Sequence, residues 1–139
     1  MSRVIVDAGP LVALLWERDP HHRWMRDTVA GVRQPLLTCE PVIAEAAHLL
    51  RRQHGGRVAL LELLAKGVIT IAFRLDTELS ALKGLIERYA SVPMSLADAC
   101  VVRMCELAPD AAVLTLDADF RVYRRDGRHS IPMIRPRHS

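Results

Sequence analysis

Aromatic residues are scarce in this sequence, no two cysteines stand at redox or metal-binding spacing, and no apolar run is long enough to cross a membrane. Aromatics make up 4% of the 139 residues, with Trp16, Trp24, Phe73, Tyr89, Phe120 and Tyr123 scattered along the chain. That excludes a base-stacking platform of the kind single-strand binders use. Cys39, Cys100 and Cys105 are odd in number and form no C-x-x-C motif, and Cys100 and Cys105 would face different sides of one helix. They read as buried thiols in a reducing compartment. The apolar start from Val4 to Trp16 is broken by Asp7, Gly9 and Pro10 and offers no signal-peptide cleavage site. It is too short to span a bilayer, so a cytoplasmic protein is expected.

What is present is material for one core. Half of the residues are hydrophobic, and the length suits a single domain over residues 1–139. The net charge of +3 is unevenly laid out: residues 1–120 carry 13 basic and 15 acidic side chains, whereas residues 121–139 hold six Arg against Asp126 alone. A basic end beside an acidic region suits a polyanionic partner better than a neutral metabolite.

Short β-type runs at Val4–Val6, Leu36–Thr38, Val68–Ala72, Ala111–Leu116 and Ile131–Ile134 alternate with helical patterns. The alternation predicts an α/β protein with helices on both faces of a parallel sheet. Helices are expected from Pro10 to about Arg18 and from His22 to about Val32. A third opens at Pro41 and closes at His54-Gly55-Gly56. Three more follow, from Arg57 to Lys66, from Thr77 to Tyr89 with Asp76 as cap, and from a Ser95 cap to a stop before Pro109.

Four carboxylates sit where an acid is costly. Asp7 ends the first strand at a strand-to-helix turn, and Asp117 ends the run Ala111–Leu116, with Asp119 two residues on. Glu45 shares a helical face with Val42 and Leu49, and Asp98 shares one with Val101, Val102 and Cys105. Each has a local alternative: a helix cap for Asp7, a stripe edge for Glu45, a capping box with Ser95 for Asp98, and a turn for Asp117. Taken together, they would converge if strand order reverses between the first strand and the Ala111–Leu116 strand. Converging acids repel one another and resist burial, and a hard divalent cation removes the conflict. Oxygen donors alone favour Mg²⁺ or Mn²⁺, and such a site suits phosphodiester hydrolysis. The six C-terminal Arg could grip a nucleic-acid backbone without reading sequence, the alternative being a solvated tail. Arg121, Arg124 and Arg125, together with Thr115, are the candidate substrate contacts.

Val4-Ile5-Val6-Asp7-Ala8-Gly9-Pro10-Leu11-Val12-Ala13, Pro41-Val42-Ile43-Ala44-Glu45, Ser95-Leu96-Ala97-Asp98-Ala99 and Leu114-Thr115-Leu116-Asp117-Ala118-Asp119-Phe120 occur in that order. The ordered set resembles the PIN-domain family, most closely its small VapC-type toxins of bacterial toxin-antitoxin pairs. The resemblance implies a three-layer α/β/α PIN-like fold with a central, mostly parallel sheet. It also implies a Mg²⁺- or Mn²⁺-dependent endoribonuclease, often a homodimer, restrained by a separately encoded antitoxin protein. Asp7, Glu45, Asp98 and Asp117 would be its catalytic, metal-binding acids, and Asp119 an auxiliary ligand. One departure stands out: many relatives carry Ser or Thr after the first Asp, where this chain has Ala8, leaving Thr115 as another source of a hydroxyl.

Two further readings compete. A catalytically silent PIN module would bind RNA or a partner protein with the same scaffold. A haloacid-dehalogenase-type phosphatase would need Asp-x-Asp directly after the first strand, which Asp7-Ala8-Gly9 lacks. His21 and His22 read as an exposed pair and His48 as a structural neighbour of Glu45. The leucines Leu60, Leu61, Leu63 and Leu64 cover more of one helix than a single core stripe needs, which leaves them open to a dimer or antitoxin surface as well as the core.

Overall fold

Triplets that are apolar but for Thr38 and Thr70 form most of the central sheet: β1 (Val4–Val6), β2 (Leu36–Thr38), β3 (Ile69–Ile71) and β4 (Ala112–Leu114). A short hairpin, β5 (Arg124–Arg125) with β6 (His129–Ser130), follows, and β7 (Met133–Ile134) returns to the sheet. The order is β3-β2-β1-β4-β7, and every neighbouring pair is parallel. β1 has no polar position because both of its faces are covered, and Val4, Ile5 and Val6 are all buried. The computed structural model describes residues 2–137, so Met1, His138 and Ser139, the ends of the expected domain, lie outside the described residues.

The helices are α1 (Ala8–Leu15), α2 (His22–Gly31), α3 (Glu40–Leu49), α4 (Gly56–Ala65), α5 (Leu79–Arg88) and α6 (Leu96–Leu107). The crossovers β1-α1-α2-β2 and β2-α3-α4-β3 step outward in one direction, and β3-α5-α6-β4 steps back across β1. Right-handed crossovers therefore put α1 to α4 on one face and α5 with α6 on the other. The packing agrees, since α1 touches α2, α3 and α4, while α5 packs on α6. The reversal between β1 and β4 opens a crevice at their C-terminal ends. That crevice positions everything described below.

Several boundaries differ from expectation. The first helix starts at Ala8, because the Asp7 side chain caps it, and Pro10 occupies its first turn, where a missing N–H costs nothing. It stops at Leu15, short of Arg18. The third helix ends at Leu49, and Gly55, at φ 73°, makes the left-handed turn into α4. The expected fifth helix splits into a 3₁₀ turn, Leu75–Thr77, and α5. Asp76 does not cap α5, which starts after Glu78; its carboxylate accepts two hydrogen bonds from Arg74. The C-terminal segment is no solvated tail, since Val113 N donates to Pro132 O and Thr115 N to Ile134 O as β7 joins the sheet. No helix among the described residues is long and apolar enough to cross a membrane.

Candidate metal centre

Asp7 leaves β1 at the crevice with both carboxylate oxygens engaged. Oδ1 accepts from Ala8 N at 2.8 Å, and Oδ2 accepts from the Thr115 hydroxyl at 3.0 Å. Asp7 is therefore both the helix cap and a member of the acid set, so its two readings are compatible. Only 5% exposed, it has its carboxyl pushed up to about 6, chiefly by burial. The hydrogen bonds from Ala8 and Thr115 oppose that rise, and the charges of Asp98 and Glu45 add to it.

Asp98 enters from α6. Ser95 caps the helix by accepting from Asp98 N at 3.0 Å, which sets Asp98 in the first turn, where the macrodipole favours an anion. Val101, Val102 and Cys105 on the same stripe are buried, and Asp98 is buried with them. Its Oδ2 accepts from the Tyr123 hydroxyl at 2.9 Å. Burial raises its pKa, the Tyr123 bond opposes that, and the charge of Asp117 adds to it. Tyr123 is itself fully buried, edge-on to both Tyr89 and Phe120 at 5.1 Å. Burial, and then the bond to Asp98, hold its phenol protonated well above the usual range.

Asp117 follows β4 and is half-buried. Its backbone N donates to the Thr115 hydroxyl at 2.9 Å, and its Oδ1 accepts from Asp119 N at 2.9 Å. One carboxylate oxygen each from Asp7, Asp98 and Asp117 lies within 4.8 Å of the other two. Three oxygen donors in that space, two of them on buried side chains, form a donor set for a hard divalent cation.

Glu45 and Asp119 stand outside this triad. Glu45 does not face inward: the buried line of α3 runs Val42, Ala46 and Leu50, and Leu49, expected to share Glu45's apolar face, is 50% exposed. The Glu45 carboxylate stays close enough for burial, Asp98 and Asp117 to raise its pKa. Asp119 donates its backbone N–H to Asp117, and its charge reaches the Tyr123 phenol.

The candidate substrate contacts fare differently. Thr115 is fully buried, and its hydroxyl is spent on Asp7 and on Asp117 N, so it fixes two acids and cannot touch a substrate. The Arg124 guanidinium bonds the carbonyls of Arg121, Val122 and Tyr123, and Arg125 bonds that of Pro109. In each, Nη1 is taken up by backbone, while Arg125 Nε is buried without a partner. Arg121 is exposed beside them. His22 is no bystander either, as its Nδ1 pairs with Ala13 O at 2.7 Å and ties α2 to α1. Tyr123 escaped the sequence reading, although its place three residues after Phe120 in an aromatic-poor chain was a usable signal.

A groove of about 740 Å³ lies along α3 and the segment after β3, lined by Glu40, Pro41, Ala44, Phe73, Arg74 and Asp76 among others. Arg74, the one cation that lines it among the described residues, is paired with Asp76 at 2.8 Å, so the groove has little pull on a polyanion.

Comparison with known proteins agrees with this architecture. No curated protein sequence matches the chain. The crystal structure of VapC20 from Mycobacterium tuberculosis, described as a sarcin-ricin loop cleaving toxin, superposes with a TM-score of 0.74 at 22% identity, over 86% of this chain and 93% of that one. At that identity the likeness is one of fold. The PIN domain model matches residues 4–126, a span that holds β1 to β4, all six helices and all five acids singled out above. With the fold, the switch-point crevice and the sequence match in agreement, the chain belongs to the PIN-domain family.

Proposed function

We propose that this protein is a divalent-cation-dependent endoribonuclease, the toxin of a toxin-antitoxin pair, with Asp7, Asp98 and Asp117 as the direct ligands of Mg²⁺ or Mn²⁺. The observation that carries this is the triad of carboxylates held within 4.8 Å of one another at the switch point. Family membership and the likeness in fold to VapC20 support the reaction class. A bound cation supplies the Lewis acidity that activates water and offsets charge developing on a phosphodiester. The protein's own part is to hold the donors: Thr115 aligns Asp7 with Asp117, and Tyr123 fixes one Asp98 oxygen. Glu45 and Asp119, at the rim, would add negative charge beside a cation held by the triad.

The hairpin and its flanks supply positive charge that draws RNA without reading its sequence, with Arg121 the exposed member of the original trio. A homodimer and an antitoxin are the expected partners, and exposed Val58 and Leu61 on α4 are apolar surface open to them. Three buried free thiols suit a reducing cytoplasm. The test is a panel of RNAs incubated with purified protein and Mn²⁺: cleavage that stops with chelator and with Asp98→Asn is expected. A folded protein that cuts none of them, or an Asp98→Asn variant as active as the parent, contradicts the assignment.

A further inference from the structure

The arginines that flank the crevice are not equivalent. Arg124 and Arg125 each spend Nη1 on backbone carbonyls, and Arg125 keeps one buried donor, Nε, without a partner. Arg135 keeps two: its Nε and Nη1 are buried, and neither has a hydrogen-bond partner. Buried donors left unmade are costly, and a native structure that keeps them in a cation asks for an acceptor that arrives from outside.

The sheet says where that acceptor would sit. Val113 pairs with Met133 and Leu114 with Ile134, and the ladder continues as Thr115 N donates to Ile134 O. On the other side Val6 pairs with Leu114, and Asp7 N donates to Leu114 O. Continuing both registers sets Asp7, Thr115 and Arg135 in a row across β1, β4 and β7, at the C-terminal edge where the triad lies. Adjacent strands are about 4.8 Å apart, so the backbone of Arg135 stands roughly 10 Å from that of Asp7. Residues in one such row project to the same face of the sheet, so Arg135 borders the side that carries Asp7 and Thr115. Arg135 also lies beyond the 4–126 match, so family membership assigns it no role.

We propose that Arg135 is the phosphate-binding residue of the site, its planar guanidinium donating to oxygens of an RNA phosphodiester at the β7 side of the triad. This rests on the ribonuclease reading of the same site. It replaces Arg124 and Arg125 as the specific anion contact and leaves them a structural task in the hairpin.

The test uses the full-length protein, Mn²⁺ and an RNA that the parent cleaves. Arg135→Gln should raise KM about tenfold or more, lower kcat less, and reduce the slope of log KM against log salt by about 1. Arg135→Lys keeps the charge and loses the fork, so it should fall between the two. Should Arg135→Gln fail to fold, the Lys variant carries the test, and an unchanged KM in it overturns the proposal. Unchanged KM and salt slope in a Gln variant that melts like the parent overturn it as well. So does an unchanged RNA KM accompanied by lost binding of an acidic peptide, which would assign Arg135 to a protein carboxylate. A second readout is independent of cleavage: titration with inorganic phosphate should shift the Arg135 Nε–H resonance and leave that of Arg124 in place. If the parent cuts no RNA yet this shift appears, the nuclease reading fails and the phosphate site stands. If the parent cuts RNA and the resonance does not move, the reverse holds.

Discussion

Thr115 and Tyr123 act at the residue scale by holding other side chains. Thr115 bonds Asp7 and Asp117 N, and Tyr123 bonds Asp98, so each sets the direction of a carboxylate without touching anything it binds. Partners of this kind are typically worth 10- to 100-fold in metal affinity. Thr115→Val and Tyr123→Phe should therefore weaken Mn²⁺ binding by about that factor while the protein stays folded, as read by calorimetric titration. Asp7 sets a pH dependence. Its pKa is about 6 in the fold against 3.8 ordinarily, so the stability it contributes is complete below pH 3.8 and is lost as pH rises through 6. Metal-free protein should lose about 3 kcal/mol over that window. Melts in chelator should show the fall in the parent and flatten it in Asp7→Asn. Burial and the charge of Asp117 likewise disfavour ionised Asp98, so Asp98→Asn should raise the melting temperature in chelator at pH 7.

Elements convert these local choices into a site. The Ser95 cap starts α6 three residues before Asp98, which fixes the depth at which that acid enters the crevice. Ser95→Ala should cost about 1 kcal/mol in denaturant unfolding. Much of this level was legible in the chain. Asp7 and Asp117 were readable because a strand end is marked by the abrupt end of an apolar run, and Asp98 because a short acid in an apolar stripe has no way out. The direction of Glu45 was not, since it turns on which of two overlapping stripes of α3 meets the sheet, and packing chose Val42, Ala46 and Leu50. Nor was the Tyr123 bond to Asp98, which joins residues 25 positions apart and depends on where the 3₁₀ turn Ala118–Arg121 delivers the chain. The last strand was legible as the apolar run Ile131–Ile134, whereas the hairpin of β5 and β6 was not, because two-residue strands carry almost no periodicity.

At the scale of the whole molecule, the topology concentrates negative charge. Reversal of strand order beside β1 brings residues 7, 98 and 117 to one crevice while the chain's positive excess falls in its last 19 residues. Burial and neighbouring charge raise the pKa values of Asp7 and Asp98, and a bound cation would offset both, so Mn²⁺ should raise the melting temperature of the parent in a concentration-dependent way and leave Asp98→Asn nearly unmoved. The central claim is that the triad is a cation site. Anomalous scattering from crystals grown with Mn²⁺ tests it most directly. A peak bounded by carboxylate oxygens of Asp7, Asp98 and Asp117 is the expected result; Mn²⁺ elsewhere on the protein, with no density among those three acids, contradicts the account.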